Sequence, residues 1–114
     1  MPFLTIKVNM PLDNAMASEL MTQGTNIVAR VTGKPKSYIM LNISGDEHLM
    51  MGGKIDPCCY MEMKSIGLPD EQIRPLSAEL TKMMMAKLHL PANRVYIEFS
   101  AVPGKYWGYN GSTF

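Results

Sequence analysis

The sequence predicts an α+β fold in which duplicated β-α-β units form a four-stranded sheet with two helices on one face. Four segments alternate apolar and polar residues with the period of strands, and two longer segments repeat apolar residues near the helical period. The two halves also resemble each other, since 2–8 aligns with 57–63 and 35–41 aligns with 91–97. Right-handed crossovers would place both helices on the same side of the sheet. A single domain over residues 1–114 follows.

The first β-α-β unit begins with a strand predicted over residues 4–9, with alternate apolar side chains. Asp13 or Asn14 can cap the helix that follows, and Gly33 fits the left-handed position after its last turn. Gly24 inside the helix lowers helix propensity and indicates close packing. The apolar stripe of this helix consists of Met16, Leu20, Ile27, Val28 and Val31.

The second half repeats this pattern. The strand 39–44 closes the first unit, and the strands 58–63 and 95–100 flank the second helix. That helix begins between Asp70 and Pro75, and Pro75 is expected in its first turn because proline lacks a backbone N–H. Its apolar stripe consists of Leu76, Leu80, Met83, Met84 and Leu88.

Charge and hydropathy exclude several classes of partner. The formal net charge is +1 with 18% charged residues and no basic stripe, which argues against nucleic acid or an anionic membrane surface. No apolar run is long enough for membrane insertion. Residues 1–11 lack the apolar core of a signal peptide, so the sequence predicts a cytoplasmic protein whose secretion would not use a conventional signal. His48 and His89 have no partner at metal-ligand spacing, so no metal site is predicted.

The two cysteines, Cys58 and Cys59, are adjacent in a predicted strand. Neighbouring side chains in a strand point to opposite faces, so these two rarely bond to each other. Buried or half-buried free thiols are therefore expected rather than a redox pair.

The sheet face opposite the helices is too mixed for a core and too apolar for open water. It carries Met40, Tyr60 and Tyr96 among charged residues, which indicates that other subunits cover it. The end of the chain, 105–114, has glycine turns and four aromatic residues. We expect this tail to dock, either on its own domain or on a neighbour.

Pro2 is the residue with the clearest potential role in catalysis. If Met1 is removed, the chain begins with a secondary amine, whose reference pKa is about 7.7–8.0 and which a nearby cation would lower. Such an amine is a general base that needs no His, Asp or Glu. If Met1 stays attached, Pro2 is an ordinary proline at the start of a strand.

Seven separated motifs resemble the macrophage migration inhibitory factor and D-dopachrome tautomerase family, and they follow its order along the whole chain. They are residues 1–4 (MPFL), 32–40 (TGKPKSYIM), 51–53 (MGG), 56–58 (DPC), 64–67 (KSIG), 93–97 (NRVYI) and 110–114 (NGSTF).

The resemblance implies a homotrimer in which three four-stranded sheets surround a central channel. It also implies keto-enol tautomerisation of phenylpyruvate-like and dopachrome-like substrates, with the N-terminal proline as acid and base and with no cofactor. Animal members of the family also act as cytokines, so a cell-surface receptor is a further partner to expect.

For each residue that matches a site residue of the family, the resemblance implies the same role in this chain. Pro2 matches the catalytic proline and Lys34 the lysine that meets the substrate carboxylate. Tyr96 matches the tyrosine that reaches the site from the adjacent subunit. The remaining expected substrate-binding positions are Phe3, Tyr38, Lys64, Ile66, Glu98, Trp107, Tyr109 and Phe114.

Three departures from the animal pattern matter. Cys58-Cys59-Tyr60-Met61 keeps only the first cysteine of a Cys-x-x-Cys motif, so the thiol-oxidoreductase activity claimed for relatives should not transfer. Glu98 replaces a neutral amide, which could weaken binding of an anionic substrate. Tyr109 replaces a tryptophan, while Trp107 fills a position that is smaller in the animal protein.

Each residue also has a structural interpretation. A lysine before a proline is usually solvated, a strand tyrosine usually supports the sheet, and an isoleucine usually belongs to the core. Two functions therefore stay open: a tautomerase acting on small enolisable carboxylates, and a secreted immune-modulating cytokine homologue whose tautomerase pocket is vestigial.

Overall fold

The computed structural model describes residues 1–114 and contains a four-stranded mixed sheet with two helices of 19 residues. The strand order is β2-β1-β3-β4. β1 runs parallel to β2 and antiparallel to β3, and β3 runs parallel to β4. The bounds are β1 Pro2–Val8, α1 Asn14–Thr32, β2 Met40–Ser44, β3 Cys59–Ile66, α2 Asp70–Leu88 and β4 Val95–Val102.

The duplicated β-α-β arrangement predicted from the sequence is confirmed. In each unit a short 3₁₀ turn connects the helix to the second strand. The turn is Lys36–Tyr38 in the first unit and Ala92–Arg94 in the second, and a proline precedes each turn. Buried residues of both helices join those of the central strands in one core. Fully buried members of this core include Leu4, Ile6, Leu20, Val28, Met61, Met63, Leu76, Leu80 and Met84. Neither helix carries an apolar stretch that could cross a membrane.

Helix α1 begins and ends at the predicted signals. The Asp13 carboxylate accepts a hydrogen bond from the Met16 N–H at 2.7 Å, which satisfies one free backbone donor of the first turn. Gly33 adopts φ +73° and its N–H donates to the Ala29 carbonyl. A Cβ on Gly24 would lie 2.9 Å from Leu41 Cδ1, so this glycine allows α1 to approach the sheet.

The expectation for the start of α2 was wrong in one respect. The helix begins at Asp70, so Pro75 is its sixth residue and lies beyond the first turn. Asp70 and Glu71 place negative charge at the helix N-terminus, which favours an early start. The burial of the adjacent Leu76 and of Leu80 holds the helix together where the proline removes one N–H donor.

Three of the four strands, β1, β3 and β4, are longer than the apolar alternation predicts, whereas β2 begins one residue later than predicted. β1 begins at Pro2, and β3 and β4 extend to Ile66 and Val102. Backbone pairing continues through Ser65 and Ala101, beyond the predicted strands, and the buried Ser65 interrupts the apolar alternation there. This extension places Pro2 opposite Ser65 at the end of the sheet.

The tail docks on its own domain, as one of the two predicted alternatives. After a 3₁₀ turn at Gly104–Tyr106, Gly108–Tyr109 (β5) and Ser112–Thr113 (β6) form a small antiparallel hairpin. The Tyr109 ring stacks on Phe114 with 5.2 Å between centroids and meets the edge of Tyr38 at 5.8 Å. The hairpin therefore brings tail aromatics to the end of the sheet where Pro2 lies.

Both cysteines are buried free thiols, as predicted. Cys59 packs in the core, where burial, with a smaller contribution from Cys58, raises the pKa of its thiol to about 12. At neutral pH this thiol is protonated and a poor nucleophile.

Arg94 anchors the loop between β2 and β3. Its guanidinium donates to four backbone carbonyls, including those of Met51 and Asp56 at 2.7 Å each. We expect Arg94→Lys to lower the free energy of unfolding by about 2 kcal/mol, because lysine cannot reach several carbonyls in a planar fork. Urea denaturation measures this change.

The matched control is Arg30→Lys, since Arg30 is exposed and makes an ion pair with Glu79 at 3.6 Å. We expect that variant to change stability by less than about 0.5 kcal/mol. Equal effects in the two variants would contradict a special role of Arg94.

Candidate active site

Pro2 is fully buried at the start of β1, and its side chain faces the helix side of the sheet. Met1 precedes it and is half-buried. With Met1 attached, the Pro2 nitrogen is a tertiary amide that has no N–H and no basic lone pair. The position that the sequence assigns to the base is therefore structurally defined, and its chemistry depends on Met1.

Two cavities meet at Met1. The larger, of about 400 Å³, contains Pro2 in its wall, and the smaller, of about 240 Å³, contains Lys34. Met1 and Tyr38 line both. The other residues of the larger cavity are Phe3, Ser37, Ile39, Met40, Trp107, Gly108 and Tyr109, and those of the smaller are Pro35, Ile66 and Phe114.

Lys34 follows the glycine that ends α1. Its Nζ donates to the Ile66 carbonyl at 2.9 Å, which fixes the ammonium group at the wall of the smaller cavity. Burial, and secondarily the charge of Lys34, lower the pKa of the Met1 α-amino group. An amine at the start of this chain is therefore more often in the neutral form, which can accept a proton, than an ordinary α-amino group at the same pH.

The aromatic residues predicted for substrate binding lie around these two cavities. Trp107 is half-buried in the larger cavity, Phe114 lines the smaller one, and Tyr38 separates the two. The walls combine one cation with apolar and aromatic surface, a composition suited to a small aromatic anion. Phe3 and Ile66 also lie where the sequence predicted them.

Lys64 does not line either cavity. It pairs with Phe3 in the ladder, but its side chain is exposed on the open face of the sheet, and its Nζ lies 3.9 Å from Glu62 Oε2. Within one chain, Lys64 therefore does not form part of the cavity walls, and only its positive charge can act on the site.

Tyr96 and Glu98 also lie apart from Pro2 in the same chain. The register pairs Tyr96 with Tyr60 and Tyr60 with Lys7, which is five residues along β1 from Pro2. At roughly 3.3 Å per residue, this offset is about 16 Å along the strand. A site that contains both Pro2 and Tyr96 requires two chains, which is the arrangement the sequence predicts.

Sequence reasoning missed a polar cluster on the open face. Glu62 and Glu98 are direct neighbours in the β3–β4 register, and the Tyr60 hydroxyl lies 3.2 Å from Glu62 Oε1 and 3.1 Å from Glu98 Oε2. Partial burial and these hydrogen bonds raise the pKa of Tyr60 to about 12. The period-two pattern places all three residues on one face, but the pairing of β3 with β4 was needed to bring them together.

Comparison with known proteins decides the family. The sequence profile of macrophage migration inhibitory factor (MIF) matches residues 1–114. The chain belongs to the macrophage migration inhibitory factor family. A macrophage migration inhibitory factor homolog of Brugia malayi is 37% identical over 115 residues, covering 100% of this chain and 99% of that protein.

Solved structures of the family have the same fold. The homologue from Prochlorococcus marinus superposes with a TM-score of 0.92 at 33% identity, covering 98% of each chain. The protein from Trichinella spiralis superposes with a TM-score of 0.88 at 31% identity, covering 98% of this chain and 99% of that one. Family membership supports a tautomerase fold with isomerase and cytokine-like functions for this chain.

Proposed function

We propose that the protein is a keto-enol tautomerase in which Pro2, exposed by removal of Met1, is the acid and base. The main observation in support of this proposal is that the cavity with Pro2 in its wall and the cavity with Lys34 in its wall are both lined by Met1. Because Met1 lines both, its removal would join them into one pocket with a secondary amine beside an ammonium group. The phenylpyruvate tautomerase and dopachrome isomerase activities of this proposal follow the family resemblance.

The proposed reaction uses only groups of the protein, the Pro2 amine and the Lys34 side chain, and no cofactor. The neutral Pro2 amine removes a proton from the carbon next to the substrate carbonyl, and the electron pair of the C–H bond forms the C=C bond of the enolate. Lys34 stabilises the charge that develops on oxygen and attracts the substrate carboxylate. The protonated proline then returns its proton to oxygen, which gives the enol, and the reverse sequence gives the keto form.

The substrate class follows from the walls of the joined pocket. Lys34 favours a carboxylate, and the aromatic surface of Tyr38, Trp107 and Phe114 favours a ring. A small aromatic 2-oxo acid such as phenylpyruvate has both groups, with the enolisable carbon between them. A dopachrome-like substrate has the same combination of ring and carboxylate.

Assembly as a homotrimer completes this proposal. The open sheet face leaves Met40 and Tyr96 about two-thirds exposed, at 64% and 65%, which is unusual for large apolar side chains on a sheet. A covering subunit would bury them and bring Tyr96 and Glu98 toward the Pro2 site of its neighbour. Sites between subunits explain why these two residues lie apart from Pro2 in one chain.

The direct test is ketonisation of phenylpyruvate enol by protein whose intact mass shows loss of Met1. We expect the activity to persist in the presence of a chelator. Absence of activity in correctly processed, folded protein would reject the proposal.

The pH dependence provides a more specific prediction. Burial and the charge of Lys34 lower the pKa of the Met1 amine, and the Pro2 amine that its removal exposes would lie in the same surroundings. The rate is therefore expected to rise with pH through a pKa below about 7.7–8.0, the ordinary α-amino range. Activity is lost as pH falls through that value, because the ammonium form cannot act as a base. Lys34→Ala should raise this pKa and raise KM, as measured by pH profiles of kcat/KM and kcat.

Family membership favours a second function, cytokine-like signalling through a cell-surface receptor. In this alternative the protein is secreted without a conventional signal and the pocket is vestigial, whereas a tautomerase can remain cytoplasmic. A receptor-binding assay with Pro2→Gly protein separates the two functions, because that change removes the secondary amine and leaves the outer surface intact.

A further inference from the structure

The backbone N–H of Lys34 has a side-chain acceptor. At the end of α1, the Gly33 N–H donates to the Ala29 carbonyl at 2.9 Å. The next amide, that of Lys34, donates to the hydroxyl oxygen of Thr32 at 3.3 Å and has no backbone acceptor. The place of the Lys34 backbone therefore depends on the hydroxyl group of one threonine.

The Thr32 hydroxyl is oriented by the helix that carries it. It donates its own hydrogen to the Val28 carbonyl, one turn earlier in α1, which leaves its lone pairs for the Lys34 N–H. From α2, Gln72 Nε2 donates to the Thr32 carbonyl at 3.5 Å. Thr32 is half-buried and is thus tied to both helices.

The far end of the Lys34 side chain is also held. Its Nζ donates to the Ile66 carbonyl at 2.9 Å, at the end of β3. An ammonium group has further N–H donors, which remain for a substrate carboxylate at the wall of the smaller cavity. Because a lysine side chain is a flexible stem, the direction of its ammonium group depends on where the backbone starts as well as on the carbonyl that it reaches.

We propose that Thr32 is a positioning residue of the tautomerase site and that it acts through Lys34. The Thr32 hydroxyl fixes the Lys34 backbone and the Ile66 carbonyl fixes the ammonium group, so a substrate carboxylate meets the cation in one arrangement. Such preorganisation lowers the cost of ordering a flexible side chain on binding. This inference rests on the proposed function, because it concerns how the same site holds the same class of substrate.

Thr32→Val and Thr25→Val form a matched pair of variants for the test. Both threonines are half-buried in α1, and each hydroxyl donates to the carbonyl one turn earlier, of Val28 and Met21. Only Thr32 also accepts a hydrogen bond from Lys34. In ketonisation of phenylpyruvate enol, Thr32→Val should raise KM by about fivefold with a smaller change in kcat, the effect of one lost hydrogen bond, and Thr25→Val should leave KM within about twofold.

Two further variants show whether Thr32 acts through the ammonium group. Thr32→Ser keeps the hydroxyl and should return KM to within about twofold of the unsubstituted protein. Thr32→Val added to Lys34→Ala should change KM by less than about twofold, because no cation remains to be misplaced. An equal effect of Thr32→Val with and without the Lys34 ammonium group would overturn the proposal, because it would show a purely structural role.

Amide hydrogen exchange of Lys34 gives a readout that does not need activity. By NMR, the Lys34 N–H should exchange at least about fivefold faster in Thr32→Val and at an unchanged rate in Thr25→Val. Thr32→Ala also lacks the hydroxyl and repeats the test if Thr32→Val does not fold. Absence of ketonisation by processed, unsubstituted protein would reject the proposed function, whereas unchanged exchange and KM in Thr32→Val would overturn this inference alone.

Discussion

Protein that retains Met1 is expected to have no tautomerase activity above background. With Met1 attached, the Pro2 nitrogen is an amide, and Met1 lines both the Pro2 cavity and the Lys34 cavity. The base is absent and the pocket is divided at the same time. The measurement compares two preparations, one made with methionyl aminopeptidase inhibited and one in which Met1 has been removed. Intact mass shows the state of Met1 in each, and phenylpyruvate ketonisation measures the activity.

Processed Pro2→Gly protein separates these two effects. It keeps a terminal amine and an open pocket but loses the secondary amine and the fixed ring. Its rate should fall on the order of 10²-fold or more, as is usual when a positioned acid and base is lost. Full activity in protein that retains Met1 would reject Pro2 as the base, whatever the Pro2→Gly result.

The fold was predictable because local patterns and the internal repeat agree. The alternation in β1 and the caps of α1 at Asp13 and Gly33 each specify an element, and the repeat specifies how the elements connect. The error at Pro75 shows the limit of a local rule. Tertiary burial beside that proline outweighs the one N–H donor that it removes, and propensity alone does not measure burial.

The candidate site was predictable only in part, because it depends on contacts between distant segments. The sequence itself singled out Pro2 as a terminal secondary amine and the resemblance added Lys34, but the meeting of the two cavities at Met1 required coordinates. Likewise, the neighbouring carboxylates of Glu62 and Glu98 follow from the parallel register of β3 and β4, which no spacing in the sequence reveals. The hydrogen bond that Lys34 Nζ donates to the Ile66 carbonyl is equally a product of the fold.

Two inactive variants are expected to restore activity when they assemble together. Pro2→Gly removes the base but leaves Tyr96, and Tyr96→Ala removes the tyrosine but leaves Pro2. If the site draws Tyr96 from a neighbouring chain, a mixed trimer contains sites in which an intact Pro2 meets an intact Tyr96. Random assortment at equal amounts in a closed ring makes about a quarter of all sites complete.

The activity measurement is phenylpyruvate ketonisation after the two variants have been refolded together. Sedimentation velocity should show that each variant alone and the mixture have three times the mass of one chain. Each variant refolded alone and then mixed without unfolding is the control, and it should stay inactive. Co-refolded protein that is trimeric yet no more active than this control would contradict the shared site. The physical basis is the register: Tyr96 lies about 16 Å along the strand direction from Pro2 in its own chain, beyond the reach of one side chain.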